Sequence, residues 1–390
     1  PAVLFVTCGV VAAMHVGKLP PAVPVLREAF GLSLVQSGFL LSIVLLAGMT
    51  CAILLGLLVN VAGLRRAMFA GLLVLMAGSG LAPLATDATQ LMLARATEGL
   101  GFMLVSLSAP SLIKRHVSAQ RLPLAMGWWS AYVPLGSALA LLIGPWVMYA
   151  SSWQVWWIEL AMLALLVALL LLACIEADAP PPQGSGEHTP WLQLLRVTLG
   201  SKGPWLVALT FCTYSCQWLA IIGFLPSIYA QSGLDMRSAG ALTAVVSLVN
   251  MLGNVASGVL LRRGVQPRTL LFTGFVCMAT GAWLAFNFPD LPPLARYVAI
   301  LLFSGVGGMI PGTLFNIAVQ VAPSPQAVAP TVGWLMQWSC VGQFAGPPLV
   351  AWVAQTQGDW NHTWWVTVGA CAVGCVLASL LGTREKVRTV

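Results

Sequence analysis

Residues 176–190 read EADAPPPQGSGEHTP, and they interrupt a chain that is otherwise almost continuously apolar. The stretch before them, Trp153 to Ile175, reads WQVWWIELAMLALLVALLLLACI and carries a single charge, Glu159. A spanning helix needs about 20 apolar residues, so that run is long enough to cross a bilayer. Prolines, glycines and charges then mark an exit into water. Taken from Glu176 to Gly203, the polar stretch is a flexible linker, and it divides the chain into two nearly equal parts.

Composition extends this reading to the whole molecule. Of 390 residues, 59% are hydrophobic and 7% charged, with a mean hydropathy of +0.89. Soluble chains carry about 25% charged residues. So few charges cannot clothe a water-soluble surface of this size. A soluble enzyme, a nucleic-acid binder and a secreted disulfide scaffold are excluded. The chain is an all-α integral membrane protein. Its nine cysteines lie inside apolar runs and form no CxxC. Cys212 and Cys216, and Cys371 and Cys375, are each spaced i, i+4, and all nine are read as small buried hydrophobes.

The apolar runs divide into twelve spans: 1–24, 34–58, 66–86, 90–113, 122–149, 154–175, 204–229, 238–260, 268–288, 296–320, 327–354 and 362–382. The expected organisation is a six-helix bundle over 1–175, a cytoplasmic linker over 176–203, and a second six-helix bundle over 204–390 ending in a short cytoplasmic tail. Basic residues orient it, because they accumulate in cytoplasmic loops. With both termini and the linker on one side, that side receives thirteen Lys and Arg, from Arg65 and Arg66 to Arg388. The other receives three: Arg27, Arg237 and Arg296. Both termini are therefore expected in the cytoplasm. The net charge of +7 is a topology signal and not a sign of a nucleic-acid partner.

The two halves also repeat. Leu19-Pro20 recurs as Leu225-Pro226, Gly31 and Gly38 as Gly233 and Gly240, and Gly56, ahead of Arg65-Arg66, as Gly258, ahead of Arg262-Arg263. Gly99-x-Gly101 recurs as Gly305-x-Gly307, Gly127-Trp128 with Gly136 as Gly333-Trp334 with Gly342, and Trp153 as Trp360. For these glycines, the proline and the tryptophans the offset stays between 202 and 207. An ordered series at near-constant offset implies six helices duplicated in parallel, related by a pseudo-two-fold axis along the membrane normal. Such repeats rock against each other and expose a central site alternately to the two sides.

At this level the chain resembles the major facilitator superfamily. Gly56-Leu-Leu-Val-Asn60-Val-Ala-Gly63-Leu-Arg65-Arg66, between spans two and three, resembles that family's loop signature of Gly, Asp, Gly and a basic pair, with Asn60 at the acidic position. The resemblance implies a gating loop at Gly56, Asn60, Gly63, Arg65 and Arg66. Leu91-x-x-x-Arg95-x-x-Glu98-Gly99-x-Gly101 in span four resembles the family's second signature. Tyr132-x-Pro134-x-Gly136 and the tryptophan before span six resemble the cyanate/nitroimidazole transporter group. The resemblance covers essentially the whole chain and implies a secondary transporter working by alternating access.

No P-loop, HExxH or GxSxG occurs, and four scattered histidines make no metal site, so no cofactor and no enzymatic activity are expected. Ionisable groups within a bilayer are expensive and mark function by default. Five qualify: His15 and Lys18 in span one, Arg95 and Glu98 in span four, and Glu159 in span six. His15 with Lys18, and Arg95 with Glu98, are each i, i+3 and share a face. With span one ending near Pro24, Lys18 lies roughly 9 Å and Arg95 roughly 7–8 Å below the outer surface. The resemblance makes spans one and four neighbours lining a cavity, so the four groups are expected to form one cluster. Alternatives stay open: a static brace for Arg95 and Glu98, snorkelling for Lys18, a backbone-bonded neutral ring for His15, and an interfacial site for Glu159.

The second half offers uncharged groups: Tyr214, Gln217 and Trp218 in span seven, Ser247, Asn250 and Asn254 in span eight, Asn316 and Gln320 in span ten, and Trp334, Gln337, Trp338 and Gln343 in span eleven. These either glue helices together or hold the organic part of a solute. The expected function is secondary transport of a small organic anion or carboxylate-bearing compound across a bacterial inner membrane by a monomer. Substrate binding falls to Lys18, Arg95, His15, Tyr214, Gln217, Asn250, Gln337 and Trp338. A proton is the candidate coupling ion, with Glu98, Glu159 or His15 as its carrier. The alternatives are a proton-driven exporter of a hydrophobic drug or metabolite, and a non-transporting membrane sensor or scaffold.

Overall fold

A computed structural model describes residues 2–118, 121, 125, 128–129, 131–177 and 191–381, with the side chains of Leu57, Asn60, Val61, Trp191 and Pro325 outside that description. The described residues are helical almost throughout. The first half contains α1 (Ala2–Gly17), α2 (Leu19–Phe30), α3 (Leu34–Ser42), α4 (Leu46–Ala62), α5 (Leu64–Leu81), α6 (Ala88–His116), α7 (Tyr132–Ala150) and α8 (Trp153–Cys174). A short helix, α9 (Trp191–Gly200), precedes the second half. That half contains α10 (Lys202–Gln231), α11 (Met236–Arg262), α12 (Pro267–Asn287), α13 (Pro293–Gly307), α14 (Met309–Val321), α15 (Val328–Gln357) and α16 (Trp364–Leu381).

Three spans are broken helices: α1 with α2, α3 with α4, and α13 with α14. Eleven of the twelve spans are long and apolar enough to cross a membrane by composition. The remaining one, α15, has 30 residues and reaches about 45 Å at 1.5 Å per residue. Its lower hydropathy comes from Gln337, Gln343, Gln355 and the Pro347-Pro348 pair. The architecture is the twelve-helix, two-repeat fold expected from the sequence.

Two expectations need correction. Span one does not end near Pro24. It continues to Phe30, because Pro20 and Pro21 sit in the first turn of α2, where a missing N–H loses no helical bond. Lys18 therefore lies about 18 Å from the end of its span, twice the depth inferred above. The prolines also bring no N–H to the carbonyls of Val16 and Gly17, and the helix changes register at Lys18. The second correction concerns 176–203: its last part is ordered as α9, tied to α10 by a 2.8 Å bond from Trp205 Nε1 to the Leu199 carbonyl.

At the start of α5, Gly63 adopts φ +97°, a value that L side chains rarely adopt, and it turns the chain from α4 into α5. Arg65 Nη2 donates to the Leu172 carbonyl near the end of α8 at 2.8 Å, and Arg66 also has interaction partners. Gly56 lies within α4. The side chain of Asn60 is outside the described residues.

Contacts between the halves concentrate along α3 and α4 with α15, α7 with α11, and α2 with α10. The end of the bundle carrying the α2–α3, α7–α8 and α10–α11 turns, opposite the linker, is referred to as the far end.

Candidate functional site

His15, Lys18, Arg95 and Glu98 meet in one cluster, and each is 0% exposed. Lys18 Nζ donates to Glu98 Oε1 at 2.5 Å and to Ser79 Oγ at 2.7 Å, and it lies 3.3 Å from His15 Nδ1. It also sits 4.6 Å from the centroid of the Trp157 ring. Arg95 Nη1 donates to Glu98 Oε2 and, at 2.6 Å, to the His15 carbonyl beside the register change of span one. Ser79 Oγ in turn donates to the Trp157 carbonyl at 2.8 Å. Lys18 does not snorkel, since its ammonium is satisfied inside the protein. All these partners come from α1 and its junction with α2, and from α5, α6 and α8, so the cluster is enclosed within the first six-span bundle in this conformation.

The charges do not balance. Two strong cations face one carboxylate. The donors are not all used either: His15 Nε2, Arg95 Nε and Arg95 Nη2 are buried without a hydrogen-bond partner. A lysine ammonium has only donors, so His15 Nδ1 accepts from it and the ring proton is assigned to Nε2. The three unused nitrogens are then all donors. Buried polar groups are usually paired, and an uncompensated charge in a dry interior costs several kcal/mol. An anion accepting from these donors removes both deficits.

Glu159 lies apart from the cluster, exposed on the outer face of α8. In the second half, the Tyr214 hydroxyl accepts from Asn250 Nδ2 at 3.0 Å, and the same nitrogen donates to the Ser304 carbonyl at 2.8 Å. Gln217 is occupied at both ends: Nε2 donates to the Thr213 carbonyl and Oε1 accepts from Cys371 Sγ. Gln337 is half-buried. Trp338 packs with Trp205 and Trp334 at ring separations of 5.6 and 5.9 Å, and those two rings lie 4.9 Å from each other.

Two partners of Lys18 were not singled out by sequence reasoning. Ser79, inside Gly78-Ser79-Gly80, and Trp157, one of three tryptophans within five residues, hold Lys18. No spacing signal marks either one. Trp218 Nε1 and Ser247 Oγ are buried and unpartnered. Tyr214 and Trp218 share one face of α10, Asn250 and Ser247 share one face of α11, and the Tyr214–Asn250 bond brings these faces together.

Comparison with known proteins places this geometry among transporters. Residues 5–332 match the Major Facilitator Superfamily. The cyanate transport protein of Escherichia coli strain K12 is 25% identical over 307 residues, covering 78% of this chain and 76% of that protein. The 2-nitroimidazole transporter of the same strain is 28% identical over 363 residues, covering 87% and 84%. A bacterial homologue of the human lysosomal transporter Spinster, solved in an inward-facing and unoccupied conformation, superposes with a TM-score of 0.80 over 97% of this chain and 96% of that one. At 14% identity that likeness is one of fold.

Proposed function

Because this chain belongs to the major facilitator superfamily, we propose that it carries a small monoanion, such as cyanate or a short carboxylate, across the bacterial inner membrane. The observation that carries this reading is the buried excess cation: Lys18 and Arg95 against Glu98 alone, with three donors unused. One negative charge brings the site to neutrality. Charge-assisted bonds in so dry a site are strong. The relative that transports cyanate handles an anion of this class. The basic-residue count puts both termini and the linker in the cytoplasm.

The cluster is sealed in the conformation described, so the anion reaches it when the two bundles reorient. Arg95 Nε and Nη2 and His15 Nε2 then donate to the anion, while Ser79 and Trp157 hold Lys18 in place. Cyanate leaves no remainder beyond this cluster, whereas the organic part of a longer carboxylate would meet the uncharged groups of the second half, Tyr214, Asn250, Gln337 and Trp338, once the bundles reorient. Glu98 is the group through which a proton couples, since it alone among the five ionisable residues is a carboxylate inside the cluster. Glu159 sits on the outer face, away from it.

The test is uptake into proteoliposomes of labelled cyanate, acetate and 2-nitroimidazole. Uptake of the monoanions that is lost in Arg95→Ala supports the proposal. Uptake of 2-nitroimidazole without either anion overturns it in favour of an exporter of apolar heteroaromatics. The match to the 2-nitroimidazole transporter and the tryptophan group around Trp338 speak for that second reading.

A further inference from the structure

The far end is held shut by two seams that the internal repeat makes equivalent. In one, Gly38 of α3 lies against the backbone of Pro347 and Pro348 of α15. In the other, Gly240 of α11 lies against the Leu141 carbonyl and the Pro145 ring of α7. Gly38 and Gly240 are repeat partners at offset 202, and Leu141 and Pro347 are partners at offset 206. In both seams a Cβ on the glycine would collide with the opposing helix, so the helices approach backbone to backbone.

The next interaction outward differs. At the first seam the Val35 amide donates to Gln355 Oε1 at 3.4 Å, and Phe39 meets Phe344 edge-on at 6.2 Å. At the second, the residue equivalent to Val35 is Arg237, and the residues equivalent to Trp352 and Gln355 are Trp146 and Tyr149. Arg237 lays its guanidinium over both rings, 4.7 Å from the Trp146 centroid and 4.5 Å from the Tyr149 centroid. Its remaining charged neighbour is Asp235, with Nε 3.7 Å from Oδ1.

We infer that Arg237, Trp146 and Tyr149 form a cation–π latch that holds the far end of the protein closed. The duplication supplied two equal hinge seams, and this substitution turned one of them into a charged clasp. The rings belong to the first bundle and the guanidinium to the second, so separating the bundles at this end must pull them apart. A planar guanidinium can stack on an aromatic face, and a lysine ammonium cannot match that geometry. The inference is independent of which solute is carried.

Hydrogen–deuterium exchange of the full chain in lipid nanodiscs tests it. Removing either ring from beneath the guanidinium is expected to shift the closed-to-open ratio about two- to five-fold. Arg237→Ala should raise exchange in peptides covering 141–150 and 236–243 and lower it in peptides covering 50–62 and 328–338, at the linker end. Arg237→Lys should lie between Arg237→Ala and the parent. Trp146→Ala should give the same reciprocal pattern, and adding it to Arg237→Ala should change less than the two single effects summed. Faster far-end exchange without protection at the linker end would mean local fraying only and would overturn the latch. So would unchanged exchange, or strict additivity.

Discussion

Glu98 is the residue on which the charge balance of the cluster turns. Replacing Arg95 by alanine leaves the matched Lys18–Glu98 pair, whereas Glu98→Ala leaves two facing cations with no counter-charge. Arg95→Ala is therefore expected to lower stability by about 1–3 kcal/mol and Glu98→Ala by about 3–5 kcal/mol. Thermal melts in detergent should rank parent, Arg95→Ala, Glu98→Ala in falling order, and added formate should recover part of the Glu98→Ala loss. The reverse ranking would contradict the charge count. Ser79→Ala removes one of the partners of Lys18 and should cost about 1 kcal/mol with a larger relative loss of anion affinity, since Ser79 aims the ammonium. The meeting of His15, Lys18, Arg95 and Glu98 was legible in the sequence, because charges are rare in apolar helices and i, i+3 spacing fixes their faces. Their setting was not. Ser79 and Trp157 belong to residue types too common along this chain to signal a contact, and the unused donors exist only in three dimensions.

At the scale of single elements, proline was the residue most easily misread. Pro20, Pro21 and Pro24 look like the end of a helix, yet Pro20 and Pro21 sit in the first turn of α2, Pro24 lies within it, and the span runs on to Phe30. Lys18 sits at that junction, so the break and the proposed binding group coincide. The helix within the 176–203 stretch was hidden for a related reason. The Pro/Gly-rich first part of that stretch obscured an apolar-periodic second part, Trp191–Gly200, which folds as α9. The far-end seams yield a prediction at this scale. Gly38→Leu places a side chain where α15 presents the backbone of Pro347 and Pro348, and overpacking of this kind typically costs about 1–3 kcal/mol. The variant should favour the far-end-open state, seen as faster exchange over 34–45 and 344–352. Exchange equal to that of the parent would show that the seam yields without opening.

The whole molecule was the most legible level. Composition fixed its solvent, the 202–207 offset fixed its duplication, and the loop charges gave an orientation. That proposed orientation has a direct check: with both termini in the cytoplasm, green fluorescent protein fused after Val390 should fluoresce in cells, and alkaline phosphatase fused there should be inactive. The opposite pair of results would invert the topology. What duplication could not reveal is how the halves diverged. The first kept the ionisable residues in its core, while the second placed Phe224 and Leu301 at the positions equivalent to Lys18 and Arg95. The proposed site is therefore lopsided, charged on one side of the pseudo-axis and neutral on the other.

The most direct test of that site is calorimetric titration of cyanate or acetate into the purified protein and into its Lys18→Ala and Arg95→Ala variants, each first shown to be folded and monodisperse. The account predicts saturable binding to the parent protein and an affinity at least 100-fold weaker in both variants. Unchanged affinity in Lys18→Ala would contradict it, leaving the cluster as an internal brace and moving the solute to Tyr214, Trp218, Ser247 and Asn250.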